Sequence, residues 1–320
     1  MDLESETISR VEGTFFKGKG IITTSAEITL GDDIVSRAIT GLAFQDPESQ
    51  EAAKIGILAA SLFAGGDGGR RPTLVVWPET ALPFYPANSM FVEDLQRLNT
   101  RFDMALLTGA PWYEVVDREK KEYDYYNSAV LIAPTGEFID RYSKSHLVPF
   151  GEYVPLKPLL PFLAPLVEAV GDFSPGIIGR PPQWRQGRLG VLICFESIFP
   201  AIAGQWVRNG ANVLVNLTND AWYGKSSAPY HSLAMTVFRS VETRRSMVRA
   251  ANTGISGFID PLGRVVRRSG LFEPWAEAED VVLLEGKSLW VRCGSLLSGF
   301  SIAPCIEPWA LKPISSIKTI

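Results

Sequence analysis

The sequence predicts an α/β fold, and three observations carry this prediction. From residue 74 onwards, short apolar segments of strand length alternate with segments whose apolar residues have helical spacing. Some strand segments, such as 212–216, are almost wholly apolar, which is typical of strands buried on both faces or lying inside a layered sandwich. Hydrophobic residues make up 46% of the chain and charged residues 21%, the composition of a globular protein with a sizeable core.

The elements can be assigned in chain order. Residues 1–45 are the least regular part, although 20–30 carries the β-branched residues of a strand, and 47–63 has a helical pattern that ends at a glycine cluster. We then predict strands over 74–78, 104–108, 127–133, 189–194, 211–217 and 255–260. We predict helices near 91–100, 198–209 and 229–247. The arginines near the last of these helices are expected to form its solvated face: Arg239, Arg244, Arg245 and Arg249.

Composition argues against several classes of function. The chain has 31 basic and 35 acidic residues among 320, a net charge of −4, so it lacks the basic surface of a nucleic-acid-binding protein. Its three cysteines and two histidines have no metal-motif spacing, and we expect no metal and no cofactor. The sequence predicts neither a signal peptide nor a transmembrane helix, which needs about 20 apolar residues.

Three strand-like segments end in side chains of complementary chemistry. Cys194 closes the apolar run 190–194, Glu79 follows another apolar strand, and Lys144 follows the segment 138–143. A thiol needs a base or a lowered pKa to become a nucleophile, and a carboxylate can be that base. An amine can stabilise the oxyanion of a tetrahedral intermediate. The sequence therefore predicts acyl transfer through a thioester on Cys194.

Neighbouring residues are expected to support this chemistry. Glu152 is a second carboxylate that would orient Lys144 or assist proton movement, and the backbone N–H of Phe195 would be a second oxyanion donor. Glu196 is too close to Cys194 in the sequence to face the same side of a continuing strand.

The identity of the base has an alternative. His146 or His231 could form a Cys–His pair, which is a competing architecture for a nucleophilic cysteine. We prefer Glu79, because three converging strand ends are a simpler geometry than a histidine recruited from a loop or a helix.

A proline-rich apolar segment directly follows Glu152. Five prolines between 153 and 176 forbid a regular long helix, and the segment contains Leu159, Leu160 and Phe162. It either packs beneath the domain or is exposed to an apolar ligand. Together with the apolar segment 82–86 it favours a lipid-like substrate, because a small polar substrate needs no apolar rim.

Several motifs taken together resemble a known family. They are Trp77-Pro-Glu-Thr80, Lys144-Ser-His-Leu-Val-Pro-Phe-Gly-Glu-Tyr-Val-Pro155, Ile193-Cys-Phe-Glu196, Asn216-Leu-Thr-Asn-Asp-Ala-Trp-Tyr-Gly224 and Arg249-Ala-Ala-Asn-Thr-Gly-Ile-Ser256. Residues 72–265 resemble the nitrilase (carbon–nitrogen hydrolase) superfamily, and within it the catalytic domain of bacterial apolipoprotein N-acyltransferases.

The resemblance implies a nitrilase-like αββα sandwich and a reaction in two halves. A phospholipid acylates the cysteine, and the thioester then acylates the N-terminus of a diacylglyceryl lipoprotein. By position, Glu79 is the general base, Lys144 the oxyanion stabiliser and Cys194 the nucleophile. The implied location is the inner membrane, with the catalytic domain on the periplasmic side and in contact with the membrane surface.

The resemblance also assigns further residues. Glu152 corresponds to the family's second glutamate, and Trp222 and Tyr223 lie in a segment that borders the substrate pocket. Phe195 stands where the family commonly has Tyr, a departure that should leave its backbone donor intact.

We divide the chain into an unassigned segment 1–45, a nitrilase-like catalytic domain 46–285 and a C-terminal tail 286–320 that resembles a degraded membrane anchor. One alternative function is a soluble amidase or nitrilase-type hydrolase that acts on a small amide. Another is an inactive interaction domain, against which the presence of all three candidate catalytic residues argues.

Overall fold

The fold is seen in a computed structural model, which describes residues 7–15, 22–30, 33–39, 73–82, 85–86, 92–93, 96, 99–100, 103–153, 173–273, 275 and 277–294. Within these ranges the strands form three sheets. The first is antiparallel and contains β1 (Thr7–Phe15), β2 (Ile22–Leu30) and β3 (Asp33–Ile39). The strand predicted near 20–30 is confirmed as β2, whereas its two neighbours were not predicted.

A four-stranded sheet follows, in the order β4-β5-β6-β7. Its strands are β4 (Leu74–Val76), β5 (Ala105–Asp117), β6 (Glu122–Ile132) and β7 (Phe138–Ser143). β4 pairs with β5 in parallel, and β5, β6 and β7 pair antiparallel. β4 and β7 therefore run in the same direction, and their carboxyl ends lie at the same edge of the sheet.

The third sheet has six strands in the order β13-β12-β11-β10-β9-β8. They are β8 (Gln183–Trp184), β9 (Gly187–Ile193), β10 (Val213–Asn219), β11 (Met247–Asn252), β12 (Gly257–Ile259) and β13 (Val265–Arg268). β9, β10 and β11 are parallel and are connected by the helices α1 (Pro200–Arg208) and α2 (Ala228–Thr243). This arrangement confirms the predicted α/β fold, and it brings the carboxyl ends of the parallel strands to one edge.

The four-stranded and six-stranded sheets share one apolar core. Leu107 and Leu131 of the former and Val191 and Val215 of the latter are completely or almost completely buried in it. Burial of each such side chain is worth about 1.5–3 kcal/mol. This core fixes the two sheets against each other, so that polar residues at the strand ends have defined positions.

Three predicted boundaries are wrong by more than two residues. α2 ends at Thr243 instead of continuing to 247, because Arg244 adopts a left-handed conformation with φ of 54° that closes the helix. The usual signal for such a cap is glycine, which the sequence lacks here. The strands predicted over 104–108 and 127–133 extend into a long hairpin, since β5 and β6 continue beyond the buried core into a polar outer half.

The remaining helical predictions have mixed outcomes. Residues 92–93, 96 and 99–100 are helical at every described position, in agreement with the helix predicted near 91–100. The helix predicted over 47–63 lies outside the described residues.

Candidate active site

Three strand ends bring Glu79, Lys144 and Cys194 into one cluster. Glu79 follows β4, Lys144 directly follows β7, and Cys194 directly follows β9. The side chains of Glu79 and Cys194 hydrogen-bond to each other, and Lys144 Nζ lies 3.7 Å from Glu79 Oε1. The structure thus places the thiol beside a carboxylate that lies 3.7 Å from an ammonium group.

Cys194 occupies a strained turn between β9 and a short 3-10 helix, Cys194–Ile198. Its φ of 52° lies in the left-handed region, where a residue with a Cβ costs of order 1–3 kcal/mol. Its carbonyl oxygen accepts a hydrogen bond from Ser197 Oγ at 3.0 Å and a longer one from Asn216 Nδ2 at 3.5 Å. Cys194 as a whole is partly exposed, and the turn sets its position at the end of β9.

Glu79 has few partners for a buried carboxylate. Its Oε1 accepts a hydrogen bond from Asn127 Nδ2 at 2.7 Å, and its Oε2 accepts one from the backbone N–H of Asn219 at 2.9 Å. Burial raises the pKa of Glu79 above its ordinary value, although the charge of Lys144 and the Asn127 hydrogen bond act in the opposite direction. A carboxylate with a raised pKa is suited to accept a proton near neutral pH.

Gly109 of β5 makes this position of Glu79 possible. The Gly109 N–H donates to Pro78 O at 3.1 Å, which draws the turn after β4 against β5. A Cβ at residue 109 would lie 2.5 Å from Thr80 N and 2.6 Å from Glu79 Cα. The turn that carries Glu79 therefore fits only because residue 109 has no side chain.

Lys144 is held between two carboxylates. Its Nζ lies 2.9 Å from Oε1 and 2.8 Å from Oε2 of Glu152, and its side chain is 1% exposed. Burial alone would lower the pKa of Lys144, but the negative charges of Glu79 and Glu152, and that of Cys194 once it is ionised, outweigh burial and raise the pKa above its ordinary value. The amine therefore remains a cation, which is the form that can stabilise an oxyanion.

Asn127 of β6 joins the two carboxylates, and sequence reasoning missed it. Its Nδ2 donates to Glu79 Oε1 at 2.7 Å and to Glu152 Oε1 at 2.8 Å. Its backbone carbonyl also accepts the Lys144 N–H at 2.8 Å. In the sequence it is only an asparagine at the start of the apolar run of β6, which does not identify its partners.

Glu196 ties the Lys144 segment to the Cys194 turn. Its Oε1 accepts hydrogen bonds from Tyr142 OH, Ser145 N, Ser145 Oγ and His146 N at 2.7–3.1 Å. Its Oε2 accepts the N–H of Ile193 at 2.8 Å. With five donors on a completely buried carboxylate, Glu196 is placed to support the turn from behind.

The sulfur of Cys194 is a protonated thiol at rest. Burial, followed by the negative charge of Glu79, raises the pKa of Cys194 to about 12, although Lys144 and the hydroxyl of Thr218 lower it. Such a thiol becomes a nucleophile only when a base takes its proton. Glu79 is the carboxylate in hydrogen-bond contact with that thiol.

A second buried polar network lies beside Cys194. Arg249 Nη2 donates to Asp220 Oδ2 at 2.9 Å, and Arg249 Nη1 donates to Asn216 Oδ1. Thr218 Oγ1 donates to Asp220 Oδ1 at 2.9 Å. The prediction that the arginines form a solvated helix face is therefore wrong for three of them, since Arg239, Arg245 and Arg249 are at most 4% exposed.

Three residues were predicted to donate to the oxyanion (Phe195) or to border the pocket (Trp222 and Tyr223), and they differ in their exposure. Phe195 is the second residue of the 3-10 helix, where an N–H group has no partner within the helix. Tyr223 is 37% exposed, and its pKa is raised by burial and then by interaction with Cys194. Trp222, in the same short 3-10 helix Asp220–Tyr223, is 85% exposed.

Neither histidine takes the place that the alternative base would need. The His146 ring packs against Phe199, with 4.1 Å between ring centroids. His231 is exposed on α2. Glu79, and not a histidine, forms the hydrogen bond with Cys194.

The predicted apolar rim is described only in part. Leu159, Leu160 and Phe162 lie outside the described residues. Leu82 is completely buried and belongs to the interior, so its inclusion in an exposed rim is wrong. Tyr85 is 38% exposed and packs edge-on against Tyr113.

In the part of the chain that the structure describes, no three histidine, cysteine or acidic side chains are grouped so that they could hold a metal ion. No helix among the described residues is both long enough and apolar enough to cross a membrane.

Comparison with known proteins gives consistent results. A family model described as carbon–nitrogen hydrolase matches residues 69–278. Relatives named apolipoprotein N-acyltransferase include one from Geobacter metallireducens, 44% identical over 231 residues that cover 72% of this chain and 44% of the relative. Another, from Chlorobaculum tepidum, is 38% identical over 217 residues that cover 61% of this chain and 41% of the relative. The chain thus spans less than half the length of these relatives.

Solved structures resemble the fold. A carbon–nitrogen hydrolase from Helicobacter pylori superposes with a TM-score of 0.53 at 18% identity, covering 72% of this chain and 83% of the other. Nit3 of Saccharomyces cerevisiae, a member of the nitrilase superfamily, has a TM-score of 0.52 at 18% identity and covers 86% of this chain and 92% of its own. These similarities confirm the predicted nitrilase-like α/β fold.

Proposed function

The chain belongs to the carbon–nitrogen hydrolase family, and from this premise we propose that it is an N-acyltransferase. It moves an acyl chain from a phospholipid, through a thioester on Cys194, to the N-terminus of a diacylglyceryl lipoprotein. The observation that carries the proposal is the contact of the Cys194 thiol with Glu79, whose carboxylate lies 3.7 Å from the ammonium group of Lys144. Lys144 is in turn paired with Glu152. The choice of acyl transfer over hydrolysis is supported by relatives of that name at 36–44% identity.

In the first half-reaction the Cys194 S–H bond breaks and its proton passes to Glu79. The sulfur forms a bond to the ester carbonyl carbon of the phospholipid, and the carbonyl oxygen becomes an oxyanion. Lys144 Nζ and the N–H of Phe195 stabilise that oxyanion. When the intermediate collapses, the carbon–oxygen ester bond breaks and the leaving alkoxide takes the proton from Glu79, which releases a lysophospholipid.

In the second half-reaction the amine of the acceptor attacks the thioester carbon. Glu79 takes a proton from the attacking nitrogen, and a new amide bond forms as the carbon–sulfur bond breaks. The thiolate then recovers the proton from Glu79. Each half-reaction therefore begins and ends with Glu79 as a carboxylate, and one base serves both halves.

The charge balance of the cluster supports this cycle. Glu79 and Glu152 carry two negative charges against one positive charge on Lys144, while the thiol is neutral. Transfer of the thiol proton to Glu79 leaves the buried net charge unchanged. Because the charge only moves within the cluster, the desolvation cost of forming the thiolate is kept small.

The proposed partners are a phospholipid donor and a lipoprotein acceptor at a membrane surface, on the periplasmic side of the inner membrane. Trp222, which is exposed, and Tyr223, whose pKa is raised partly by interaction with Cys194, are proposed to contact the substrate. Leu159, Leu160 and Phe162 keep their predicted role at the apolar lip of the pocket.

The test is to incubate the 320-residue protein with phospholipid vesicles and a synthetic diacylglyceryl-cysteine peptide. Mass spectrometry should find the peptide heavier by one acyl group on its N-terminal nitrogen. Cys194→Ala should give no product, whereas the control variant Cys293→Ala should match the parent. Release of free fatty acid without acylated peptide, or turnover of small amides alone, would identify a hydrolase instead.

A further inference from the structure

One member of the buried network beside Cys194 touches the reacting sulfur and has no part in the steps above. Leu217 of β10 pairs with Ile193 of β9. The next residues along these parallel strands are Thr218 and Cys194, and the Thr218 hydroxyl lies beside the sulfur, where it lowers the pKa of Cys194. Because Thr218 is 1% exposed, its hydroxyl is shielded from bulk water.

This hydroxyl has two acceptors but only one proton. Thr218 Oγ1 lies 2.9 Å from Asp220 Oδ1, and it also contacts the sulfur of Cys194. A hydroxyl has one O–H donor, so it can donate to the carboxylate or to the sulfur, but not to both together. A protonated sulfur is a weak acceptor, and the proton is therefore directed to Asp220 while Cys194 is a thiol. A thiolate is a far stronger acceptor.

Asp220 is built so that it can release this hydrogen bond. Arg249 Nη2 donates to its other oxygen, Oδ2, at 2.9 Å, and Arg249 is fixed in turn by Ile255 O at 3.0 Å. A Cβ at Gly254 would lie 2.1 Å from Asp220 Oδ2, so the backbone closes tightly over the carboxylate. The Arg249 ion pair keeps Asp220 neutralised and in place whether or not Thr218 donates to it.

We propose that Thr218 is a catalytic hydrogen-bond switch, whose hydroxyl donates to Asp220 while Cys194 is a thiol or a thioester and turns to donate to the sulfur when Cys194 becomes a thiolate. This role rests on the proposed thioester mechanism. The turn breaks no covalent bond, because the proton that leaves the sulfur goes to Glu79. A thiolate forms in each half-reaction, first as the nucleophile and then as the leaving group, so the switch acts in both.

The switch works among several charged and titratable groups around the sulfur. They come from both sheets and the loops that follow them: Glu79, Lys144, Glu152, Asp220, Tyr223 and Arg249. Lys144 is already bound by Glu152, so its charge is shared when the thiolate forms. Thr218 adds a neutral donor that becomes available only at that moment.

The experiment compares Thr218→Val, which keeps the shape without the hydroxyl, with Thr218→Ser, which keeps the hydroxyl. Thr236→Val is the matched control, because Thr236 is a completely buried threonine in α2 whose hydroxyl donates to Leu233 O. The rate of alkylation of Cys194 by iodoacetamide is measured between about pH 6 and pH 9. Mass spectrometry of the Cys194 peptide separates it from the other cysteines.

Loss of one hydrogen bond to a charged sulfur should raise the pKa of Cys194 by about one unit and so reduce the thiolate population about tenfold. Thiolate nucleophilicity rises with pKa, which recovers about threefold of that loss. Thr218→Val should therefore be alkylated about threefold more slowly than the parent at each pH, while Thr218→Ser and Thr236→Val match the parent.

Alkylation of Thr218→Val at the parent rate would overturn the switch, and so would an equal loss in Thr218→Ser, which would show that shape alone matters. If Thr218→Val fails to fold, Thr218→Ala replaces it, since Ala and Ser differ by a single oxygen atom. If the parent does not acquire an acyl group on Cys194 from phospholipid, the proposed function itself fails. An acylated parent with an unaffected Thr218→Val removes only the switch.

Discussion

The space in front of the Cys194 turn and the layer behind it each contain a buried glutamate, and the two are bound very differently. Glu79, in front, accepts two N–H hydrogen bonds and contacts Lys144 only at 3.7 Å. Glu196, behind, accepts five hydrogen bonds at 2.7–3.1 Å. A buried carboxylate with few hydrogen-bond donors accepts a proton more readily, whereas many donors stabilise the ionised form and link the segments that carry them. Glu79 is therefore suited to proton transfer, whereas Glu196 holds the turn in place.

Loss of the carboxylate in front should have the largest effect. Glu79→Gln keeps the size of the side chain but cannot accept the thiol proton, so acylation of Cys194 should slow by about 10²–10⁴-fold. The free energy of unfolding in urea should fall by about 1–2 kcal/mol, less than for Glu196, because only two N–H donors face this carboxylate and one would meet the new NH₂ group. Glu114→Gln, on the exposed outer half of the same sheet, is the control and should be active. A Glu79→Gln protein with near-parent acylation would remove Glu79 as the base.

The opposite result is expected for the glutamate behind the turn. Glu196→Gln replaces one acceptor oxygen by an NH₂ group that faces backbone N–H donors. Since hydrogen bonds to a charged group contribute about 1.5–3 kcal/mol, we expect the free energy of unfolding to fall by about 2–4 kcal/mol. Urea denaturation measures this change. If Glu196→Gln were as stable as the parent but as inactive as Glu79→Gln, the division between the two sides would be wrong.

A substitution at Gly109 tests how far Glu79 can be displaced before the acylation rate falls. Gly109→Ala introduces a Cβ 2.6 Å from Glu79 Cα, so the turn must move. We expect a loss of about 1–3 kcal/mol in stability and, for a displacement of about 1 Å, about 10²-fold in acylation rate. Gly179→Ala is the control, because no atom lies within 4 Å of its added Cβ. Equal behaviour of the two variants would show that the close approach at Gly109 does not position Glu79.

The smallest expected effect is the position of the acid limb of the pH profile. Acylation requires ionised Glu79, and burial raises the pKa of Glu79 above its ordinary value of 4.5. The rate should therefore fall as the pH is lowered through a midpoint above 4.5. Lys144, with its pKa raised above 10.5, should stay protonated and cause no loss below that pH. A midpoint at or below 4.5 would contradict the raised pKa.

The parts of this site that the sequence could predict are polar residues that directly follow apolar runs. Glu79 and Cys194 stand in that position, Lys144 directly follows the more polar strand β7, and the ends of the three strands meet at one site. Asn127 and Thr218 lie inside strands, and their partners are distant in the sequence or across a strand pair. Their roles depend on tertiary contacts that no local pattern encodes.

The elements of the fold can likewise be divided into those that a local sequence pattern predicts and those that it does not. The buried parallel strands were predicted because their apolar runs are continuous, and the α/β class followed from their alternation with helices. The end of α2 was missed because a left-handed Arg244 closes it without a glycine. That error extended the helix and placed Arg249 on a solvated face, whereas it belongs to β11 and is 1% exposed. The position of the buried Arg249 therefore depends on the backbone conformation at Arg244, which the hydrophobic pattern does not reveal.

The most direct test of the thioester account is the intact mass of the protein after incubation with a phospholipid of known acyl chain. The account predicts a mass increase of one acyl group on Cys194, removed when an acceptor amine is added. The increase should be absent in Cys194→Ala and strongly slowed in Glu79→Gln. An acyl group that persists in Cys194→Ala, or that maps to another residue, would contradict the account.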